Sequence, residues 1–379
     1  MKTRKINVAI VGLGFGGCFP PVYREHPDVG RVAVCDTDAA RLNSYADHYG
    51  FTERFTDLKD VLASDDYDAV HVLTGIPSHA ELTLAVLAAG KHCACTVPMA
   101  TSNEDLKAIV AAQRKSGMNY MMMETAVYTY HFFLAREMYA RGDFGQIQFL
   151  RGAHYQDMDS WPQYWLGLPP MWYATHAVSP LLALENTRAT KVHCFGSGTM
   201  REDLRRNYGN PYPVESASFR LSNGTAAEVT RSLFQTARAY MESFHIYGET
   251  RSFEWHVENE PPIVTTMTQL TGPRFKQRNE LVCERVTPPD RKELLPEPIR
   301  KFTEIKIIPD PKNPHQSIRQ GAGHHGSHPH LVHEFVRSIV EERTPWIDAV
   351  TAANWTAAGV CAHASAMQDG REVTVPEFA

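Results

Sequence analysis

The sequence predicts an α/β protein of two domains: an N-terminal doubly wound parallel sheet, then an α+β domain with a large, mostly antiparallel sheet. Three observations lead to this prediction. Strand-like and helix-like segments alternate at first, a glycine-rich turn follows the first strand, and strand signals dominate after about residue 128. We therefore predict domains at 1–127 and 128–379.

The first domain is predicted from five short apolar segments, each ending in turn or polar residues. They are INVAIVGLG, RVAVCDTD, DAVHVLTG, KHCACTV and NYMMMET. Helical patterns lie between them. SHAELTLAVLAAG starts with a candidate serine cap, and SNEDLKAIVAAQRKSG has acids in its first turn and a glycine at its end. Strands alternating with helices of this length are typical of a parallel sheet with helices on both faces.

The second domain begins with a predicted helix, HFFLAREMYARGDFG, followed by the strand GQIQFLRGAHYQDMD. Further strand candidates are ATKVHCFGSG, VESASFRLSNGTAAEVTRSLF and MESFHIYGETRSFEWHV. The SNG triplet between two apolar runs predicts a hairpin. The proline-rich, charged stretch from about 261 to 316 predicts long loops or an arm rather than an independent domain, and two helices are predicted near the end.

Composition excludes several classes of protein. With 379 residues, 43% of them hydrophobic, and a formal charge of −5, the chain has no basic surface for nucleic acid. No apolar run is long enough to cross a membrane, and the short N-terminal run predicts a strand rather than a signal peptide. Seven scattered cysteines indicate reduced thiols, so we expect a cytoplasmic protein. Cys93 and Cys95 are interpreted as buried thiols, and we predict no metal ligand among the site residues.

The strongest motif is a glycine turn for a dinucleotide. Gly12, Gly14 and Gly17 have the G-x-G-x-x-G spacing between a predicted strand and a helix, and Asp36 ends the next strand. Gly12 would make the tight turn, Gly14 would let the backbone approach the pyrophosphate, and Gly17 would allow close helix–strand packing. A glycine turn in another α/β fold is the alternative.

Asp36 also indicates which dinucleotide is bound. Its carboxylate would accept hydrogen bonds from the adenosine ribose, whereas a 2′-phosphate would meet its negative charge and that of Asp38. No arginine next to it in sequence compensates this charge. The sequence therefore predicts NAD as the cofactor.

With these motifs in place, the chain resembles the Gfo/Idh/MocA oxidoreductases over essentially its full length. The resemblance lies in GLGFGG, VCDTD, TGIPSHAELTLAVLAAGKH, GDFGQI and GHHGSHPHLVHEF. It implies a Rossmann domain, a second domain that binds a sugar or polyol, and assembly into a homo-oligomer. For the cofactor it implies contacts, besides the residues above, from Phe15, Gly16, Thr74, Pro77, His79 and Pro98.

The chain departs from that family at two positions. Most members carry Glu-Lys-Pro, with a proton-handling lysine, where this sequence has Thr96-Val97-Pro98. Many also have an aspartate four residues before the substrate-site histidine, where this chain has Trp172 before His176. The usual polar groups of a sugar dehydrogenase are therefore absent at both places.

These departures resemble the NAD-dependent glycosidase branch, which includes α-N-acetylgalactosaminidases. MMMETAVY and WYATHAVSP are similar to its motifs. The resemblance implies transient oxidation at sugar C3, elimination of the aglycone, addition of water and return of the hydride. His176 and Tyr173 would then move protons at the oxidised carbon, while Glu124 and Tyr128 would polarise hydroxyls or serve the leaving group and water.

Each of these residues also has a structural interpretation: Glu124 as a helix cap, Tyr128 as core, His176 as packing. Candidate substrate contacts are His324 and His325 in the histidine-rich loop, Arg201 and Trp172. Arg201 lies in MREDLRRN, either a solvated helix face or a site for an anionic sugar substituent.

The leading hypothesis is an NAD-dependent glycosidase acting on a small carbohydrate. The alternatives are a plain sugar or polyol dehydrogenase and a non-catalytic NAD-binding sensor.

Overall fold

The structure is a computed structural model that describes residues 5–269, 279–304, 306–308, 318–320 and 324–379. The chain divides into two compact units. The first comprises Met1–Thr129, Asp290–Ala353 and Phe378–Ala379, and the second comprises Tyr130–Pro289 and Asn354–Glu377. The two continuous domain ranges, 1–127 and 128–379, remain a prediction. The compact units differ from them in that each unit combines segments that are separate along the chain.

The first unit is built on a six-stranded parallel sheet. Its strands are β1 Ile6–Val11, β2 Val29–Cys35, β3 Arg54–Phe55, β4 Ala69–Val72, β5 His92–Cys95 and β6 Tyr120–Met122. They lie in the order β3-β2-β1-β4-β5-β6. This is the order of a dinucleotide-binding sheet, and it confirms the predicted fold class. The KHCACTV strand is the fifth in chain order rather than the fourth, because two-residue β3 is too short for a pattern to show.

Helices connect these strands: α1 Pro20–Glu25, α2 Ala39–Tyr49, α3 Leu58–Ala63, α4 His79–Ala88 and α5 Asn103–Ser116. The start of α5 is as predicted, since the Ser102 hydroxyl accepts a hydrogen bond from the Asp105 amide. The serine cap predicted for α4 is wrong. Ser78 ends a 3-10 turn in a helical conformation, and its hydroxyl donates to the Gly75 carbonyl instead.

The second unit begins with α6 Tyr130–Ala140, β7 Ile147–Tyr155 and α7 Thr175–Leu184. The remaining strands up to residue 285 are β8 Ala189–Ser197, β9 Val214–Leu221, β10 Ala226–Ser232, β11 Met241–Gly248, β12 Arg251–Glu254, β13 Ile263–Gln269 and β14 Asn279–Arg285. The end of the chain adds α8 Glu297–Arg300, β15 Lys306–Ile308, β16 Ile318–Gln320, α9 Ser327–Val340, α10 Ala349–Ala366 and β17 Val373–Thr374. Helix α10 contributes residues to both units.

The large sheet has nine strands in the order β14-β13-β12-β11-β7-β10-β9-β8-β17. Every pairing is antiparallel except that of β7 with β10. The predicted SNG hairpin joins β9 and β10. Within the stretch from 261 to 316, predicted as long loops or an arm, β13 and β14 pair as antiparallel strands, so long loops alone are wrong there. Residues 270–278, 305 and 309–316 of this stretch lie outside those that the structure describes. Polar and apolar residues are mixed in both strands without strict alternation, and β14 is an edge strand, so no strand pattern stood out among the surrounding prolines.

Helix α7 covers one face of this sheet at close range. A Cβ atom on Gly152 of β7 would lie 2.2 Å from the Ala177 carbonyl oxygen of α7. Along β11, Phe244 and Ile246 face the same side as the helix, whereas Ser243 and His245 line a cleft on the other side. We call these the covered face and the open face.

Among the described residues, none of the helices combines the length and the apolar character that crossing a bilayer requires.

Candidate functional site

The glycine turn after β1 has the geometry that a dinucleotide requires. Gly12 has φ +99°, and a Cβ atom there would lie 2.6 Å from the Leu73 carbonyl oxygen. By contrast, a Cβ atom on Gly14 would meet no heavy atom of the described residues within 4 Å, apart from its own chain neighbours. Packing within the protein therefore explains Gly12 but not Gly14, which leaves its backbone open to a ligand group such as a pyrophosphate.

The role predicted for Gly17 is wrong in detail. A Cβ atom on Gly17 would lie 2.9 Å from the ring of Tyr45 in α2, not against a strand. The close approach to the strand end is made by Gly16, where a Cβ atom would lie 2.7 Å from the Leu73 Cβ. A 3-10 turn, Phe15–Cys18, separates the glycines from α1.

Asp36 lies at the carboxyl end of β2 and is buried. Its carboxylate accepts hydrogen bonds from the amides of Leu13 and Asp38, both at 2.9 Å. The expectation that no arginine stands beside it is wrong, because the Arg41 guanidinium lies 3.3 Å from the carboxylate. The arginine comes from the first turn of α2, so the fold places it there although it is five residues away in sequence.

Three other predicted cofactor residues lie together. The ring nitrogens of His79 lie 2.8 Å from the Pro98 carbonyl oxygen and 3.1 Å from the Thr74 carbonyl oxygen. Since carbonyls only accept, both nitrogens donate when the ring is protonated. Burial lowers the pKa of His79, but Cys95 and these two carbonyls outweigh it and raise the pKa to about 9. Pro77 lies in the 3-10 turn just before α4, and Val97 is buried.

The histidine-rich segment approaches the glycine turn. The ring of His324 lies 6.5 Å from the ring of Phe15, and His328 packs 4.5 Å from Phe19. His324 and His325 both have left-handed backbone conformations, at φ 47° and 52°. His324, predicted as a sugar contact, thus lies beside a predicted cofactor residue of the same unit.

In the second unit, half-buried Tyr173 and buried His176 form a pair. Tyr173 ends the 3-10 turn Pro170–Tyr173, and His176 lies in the first turn of α7. The Tyr173 hydroxyl is 3.2 Å from His176 Nε2. A phenol hydrogen-bonded to an imidazole can pass a proton between them, so the structure brings together the two residues predicted to act on the oxidised carbon.

Arg231 of β10 holds this pair from the sheet side and is fully buried. Its guanidinium donates to the carbonyl oxygens of Tyr173 and His154, at 2.8 and 3.1 Å, and also to the Ser232 carbonyl. Its central carbon lies 5.3 Å from the centre of the Tyr173 ring. Burial lowers the pKa of Arg231 to about 10, which still leaves it charged at neutral pH. A buried cation against a phenol stabilises negative charge that develops on that phenol.

A carboxylate completes the cluster. Glu242 of β11 is buried, and its Oε1 lies 4.0 Å from His176 Nε2. The Tyr240 hydroxyl donates a hydrogen bond to the same oxygen. Burial and the neighbouring Glu242 raise the pKa of Tyr240 well above its ordinary value, so Tyr240 stays a hydrogen-bond donor. Phenol, imidazole, carboxylate and guanidinium thus share one covered site.

Sequence reasoning missed His154, Arg231, Tyr240 and Glu242. A signal was present for two of them. Arg231 follows Ala227 and Val229 at alternate positions, and Glu242 precedes Phe244 in the same way. A charged residue on the apolar side of a strand indicates a buried polar site.

The other predicted residues have the following surroundings. Glu124 caps its own 3-10 turn by accepting from the Ala126 amide, and Tyr128 packs against Trp346 in the first unit. Trp172 packs 5.5 Å from the ring of His363. Arg201 lies in a series of turns rather than a helix, and its guanidinium is 2.8 Å from the Asp159 carboxylate.

Fold and glycine turn together define the class of the first unit. Residues 6–124 match the family described as "Oxidoreductase family, NAD-binding Rossmann fold", so the chain carries an NAD-binding domain of the Gfo/Idh/MocA type. Among curated proteins, it is 26% identical over 207 residues to glycosyl hydrolase family 109 protein 1 of Bacteroides thetaiotaomicron. That match covers 49% of this chain and 44% of the relative, so the chain spans less than half the length of that relative.

The chain is also similar to a 1,5-anhydro-D-fructose reductase of Ensifer adhaerens, with 37% identity over a shorter stretch of 87 residues. This stretch covers 23% of this chain and 26% of that protein. Among solved structures, a levoglucosan dehydrogenase in complex with NADH and levoglucosan has a TM-score of 0.77 at 20% identity. The structural alignment covers 99% of this chain and 100% of the levoglucosan dehydrogenase, so the two proteins share their fold.

Proposed function

We propose that this chain is an NAD-dependent glycosidase that cleaves small carbohydrate glycosides through transient oxidation at C3. The observation that carries the proposal is the chain of half-buried Tyr173 and buried His176 and Glu242, with successive distances of 3.2 and 4.0 Å. A phenol, an imidazole and a carboxylate in contact supply the several proton transfers that oxidation followed by elimination needs.

The residues that would hold the cofactor fit it. Gly14 leaves its backbone open, Asp36 offers a buried carboxylate at the end of β2, and the first unit has the matching sheet order. When bound, NAD+ takes a hydride from the sugar and later returns it.

The protein's own groups move the protons. The Tyr173–His176 pair takes the proton of the C3 hydroxyl while this carbinol becomes a ketone. The ketone acidifies the C2 proton, which the Glu242 carboxylate removes as the bond from C1 to the aglycone oxygen breaks. Water then adds to C1 and a proton returns to C2, so the net reaction is hydrolysis. Glu124 and Tyr128 remain candidates for protonating the leaving group.

Val97 supports cleavage over simple oxidation. In the dehydrogenases that the chain resembles, this position carries a proton-handling lysine, whereas here a buried valine stands there. The name of the glycosyl hydrolase family 109 relative favours the same interpretation. The likeness to a levoglucosan dehydrogenase favours a plain sugar dehydrogenase as the second candidate.

The electrostatics favour a neutral sugar. Arg201, the candidate for an anionic substituent, lies between the carboxylates of Asp159 and Asp203 at 2.8 and 3.3 Å. Its charge is therefore already largely offset. A homo-oligomer and a cytoplasmic location belong to the proposal as predictions.

The test is a panel of nitrophenyl glycosides incubated in D2O with NAD+. We expect release of nitrophenol without net NADH, and deuterium at C2 of the released sugar because that proton is exchanged during elimination. Stoichiometric NADH with the glycoside intact would instead establish the dehydrogenase. Bound NAD+ with neither product nor exchange would establish the sensor.

A further inference from the structure

We propose that His245, Glu254 and His256 bind a divalent transition metal ion of the zinc class on the open face of the large sheet. His245 of β11 lies directly opposite Glu254 of β12 in the antiparallel register. His256 follows Glu254 by two residues, so it projects from the same face. The pairing of one hairpin thus brings an imidazole, a carboxylate and a second imidazole together.

The distances suit a metal ion. Glu254 Oε1 lies 3.5 Å from His256 Nε2 and 4.0 Å from His245 Nδ1, and the three ligand atoms all lie within 4.8 Å of one another. Zinc with bonds of about 2.0–2.2 Å in a tetrahedral site holds its ligand atoms roughly 3.3 Å apart. Rotation of the partly exposed Glu254 and His256 side chains is sufficient to close the remaining gap.

A buried, unpartnered nitrogen points to a ligand independently of these distances. His245 is 5% exposed, and its Nδ1 has no hydrogen-bond partner among the described residues. A buried polar atom without a partner is costly because it has lost its hydrogen bonds to water, so native proteins rarely keep one without a reason. This nitrogen faces Glu254, and a metal ion held between them would satisfy it.

The surroundings resemble the outer shell of a metal site. The Tyr247 hydroxyl donates to Glu254 Oε1 at 2.9 Å and orients the carboxylate. Arg151 lines the same cleft, but its guanidinium lies 3.4 Å from Glu228, which offsets its charge. The cleft has a volume of about 420 Å³, enough for water as a fourth ligand. Two histidines, one carboxylate and an open position form a recognised zinc ligand set.

A histidine close to a glutamate is not sufficient for a metal site. The same sheet contains a second histidine–glutamate pair, which serves as the matched control. His193 of β8 lies 3.3 Å from Glu372, at a distance like that of His256 from Glu254. Both partners are substantially exposed, and the ring of His193 already contacts the Gly370 carbonyl. That pair therefore serves as the surface ion pair against which the proposed site is compared.

The experiment is a Co2+ titration of the full, untagged chain after removal of metals with a chelator, followed by the visible d–d absorption. We expect saturation near one Co2+ per chain and loss of the bands when Zn2+ displaces it. His256→Ala and Glu254→Gln, both at partly exposed positions, should weaken binding about 100-fold, and Tyr247→Phe about tenfold. His193→Ala should leave the affinity unchanged.

The proposal is overturned if the wild-type chain does not bind Co2+ stoichiometrically, or if His256→Ala and Glu254→Gln bind it as tightly as wild type. If those variants still bound Co2+ as tightly as the wild type, the ion would be assigned to another histidine cluster. His176→Ala separates this outcome from the proposed function, because it should abolish glycoside cleavage while leaving the Co2+ spectrum unchanged. Circular dichroism checks that every variant is folded.

Discussion

The two compact units assemble their polar residues in different ways. In the first unit, the groups expected to hold the cofactor follow one another along the chain at the ends of β1, β2, β4 and β5, as Gly14, Asp36, His79 and Pro98. In the second unit, Tyr173, Arg231 and Glu242 come from a turn and two strands that are far apart in sequence. A site at the carboxyl ends of parallel strands is visible in the sequence as a short motif. A site on the face of an antiparallel sheet is not, because its residues come from separate strands.

The difference also affects what each polar residue does for stability. Asp36 and His79 are hydrogen-bonded to main-chain groups of their own unit, beside the strand ends expected to hold the cofactor. Arg231 donates to three main-chain carbonyls under α7, where nothing replaces it. We therefore expect substitutions in the first unit to affect mainly binding, and substitutions in the second unit to affect both turnover and folding.

The largest expected effect is on turnover. His176→Ala removes the imidazole between Tyr173 and Glu242, so kcat for the best nitrophenyl glycoside should fall by about 10²–10⁴. The affinity for NAD+, measured by fluorescence titration, should stay the same because the first unit is unaltered. His193→Ala, in an exposed histidine of the same sheet, is the control. A fall in kcat of less than tenfold would remove His176 from proton transfer.

The next effect is on folding. Arg231→Met keeps an unbranched apolar stem but removes the guanidinium, which leaves three buried carbonyl oxygens without their donor. The free energy of unfolding in urea should fall by about 3 kcal/mol. Arg220→Met, in an exposed arginine of neighbouring β9, should change it by less than about 0.5 kcal/mol. Equal effects of the two substitutions would contradict the structural role of Arg231.

A pair of glycine substitutions separates binding from folding in the first unit. Gly14→Ala adds a methyl group that contacts none of the described residues beyond its chain neighbours, so stability should be retained while the Kd for NAD+ rises about tenfold or more. Gly12→Ala places the methyl group against the Leu73 carbonyl at a left-handed φ, so it should lower the unfolding free energy directly. Thermal unfolding with and without NAD+ measures both. Loss of stability in Gly14→Ala would show that the turn is constrained by packing alone.

The smallest expected effect concerns pH. Burial, with a contribution from His328, lowers the pKa of His71 in β4 to about 3, whereas an unfolded histidine titrates near 6.5. The unfolded chain therefore binds the extra proton first, and stability falls as the pH decreases from about 6.5 toward 3. At pH 5 this amounts to about 2 kcal/mol. His71→Asn should flatten the dependence of unfolding free energy on pH between 7 and 5, and an unchanged slope would contradict it.

Much of the fold was accessible from the sequence because it depends on local patterns. The alternation of strands and helices, the Ser102 cap and the SNG hairpin each act within a few residues. The failures have equally local causes. Strand β3 is too short to show a pattern, and the many polar residues of β13 and β14, without strict alternation, resemble a loop.

For the same reason, the sequence predicted only those residues of the candidate site that lie close together along the chain. The glycine turn and Asp36 form a motif in sequence, and WYATHAVSP contains both Tyr173, at the end of a 3-10 turn, and His176, in the first turn of α7. Arg41, which lies beside Asp36, escaped notice because only the winding of α2 brings it there. The partners His154, Arg231 and Glu242 depend on strand register and on which face α7 covers.

The sequence by itself determined an NAD-binding parallel sheet followed by a sheet-rich second half, because the period of apolar residues and the glycine spacing are properties of neighbouring residues. Tertiary structure alone decided that a buried arginine and glutamate join Tyr173 and His176, and that His245, Glu254 and His256 meet on the opposite face of the same sheet. The physical reason is that register between strands is fixed by long-range pairing and by the helix packed on one face, neither of which a single stretch of residues contains.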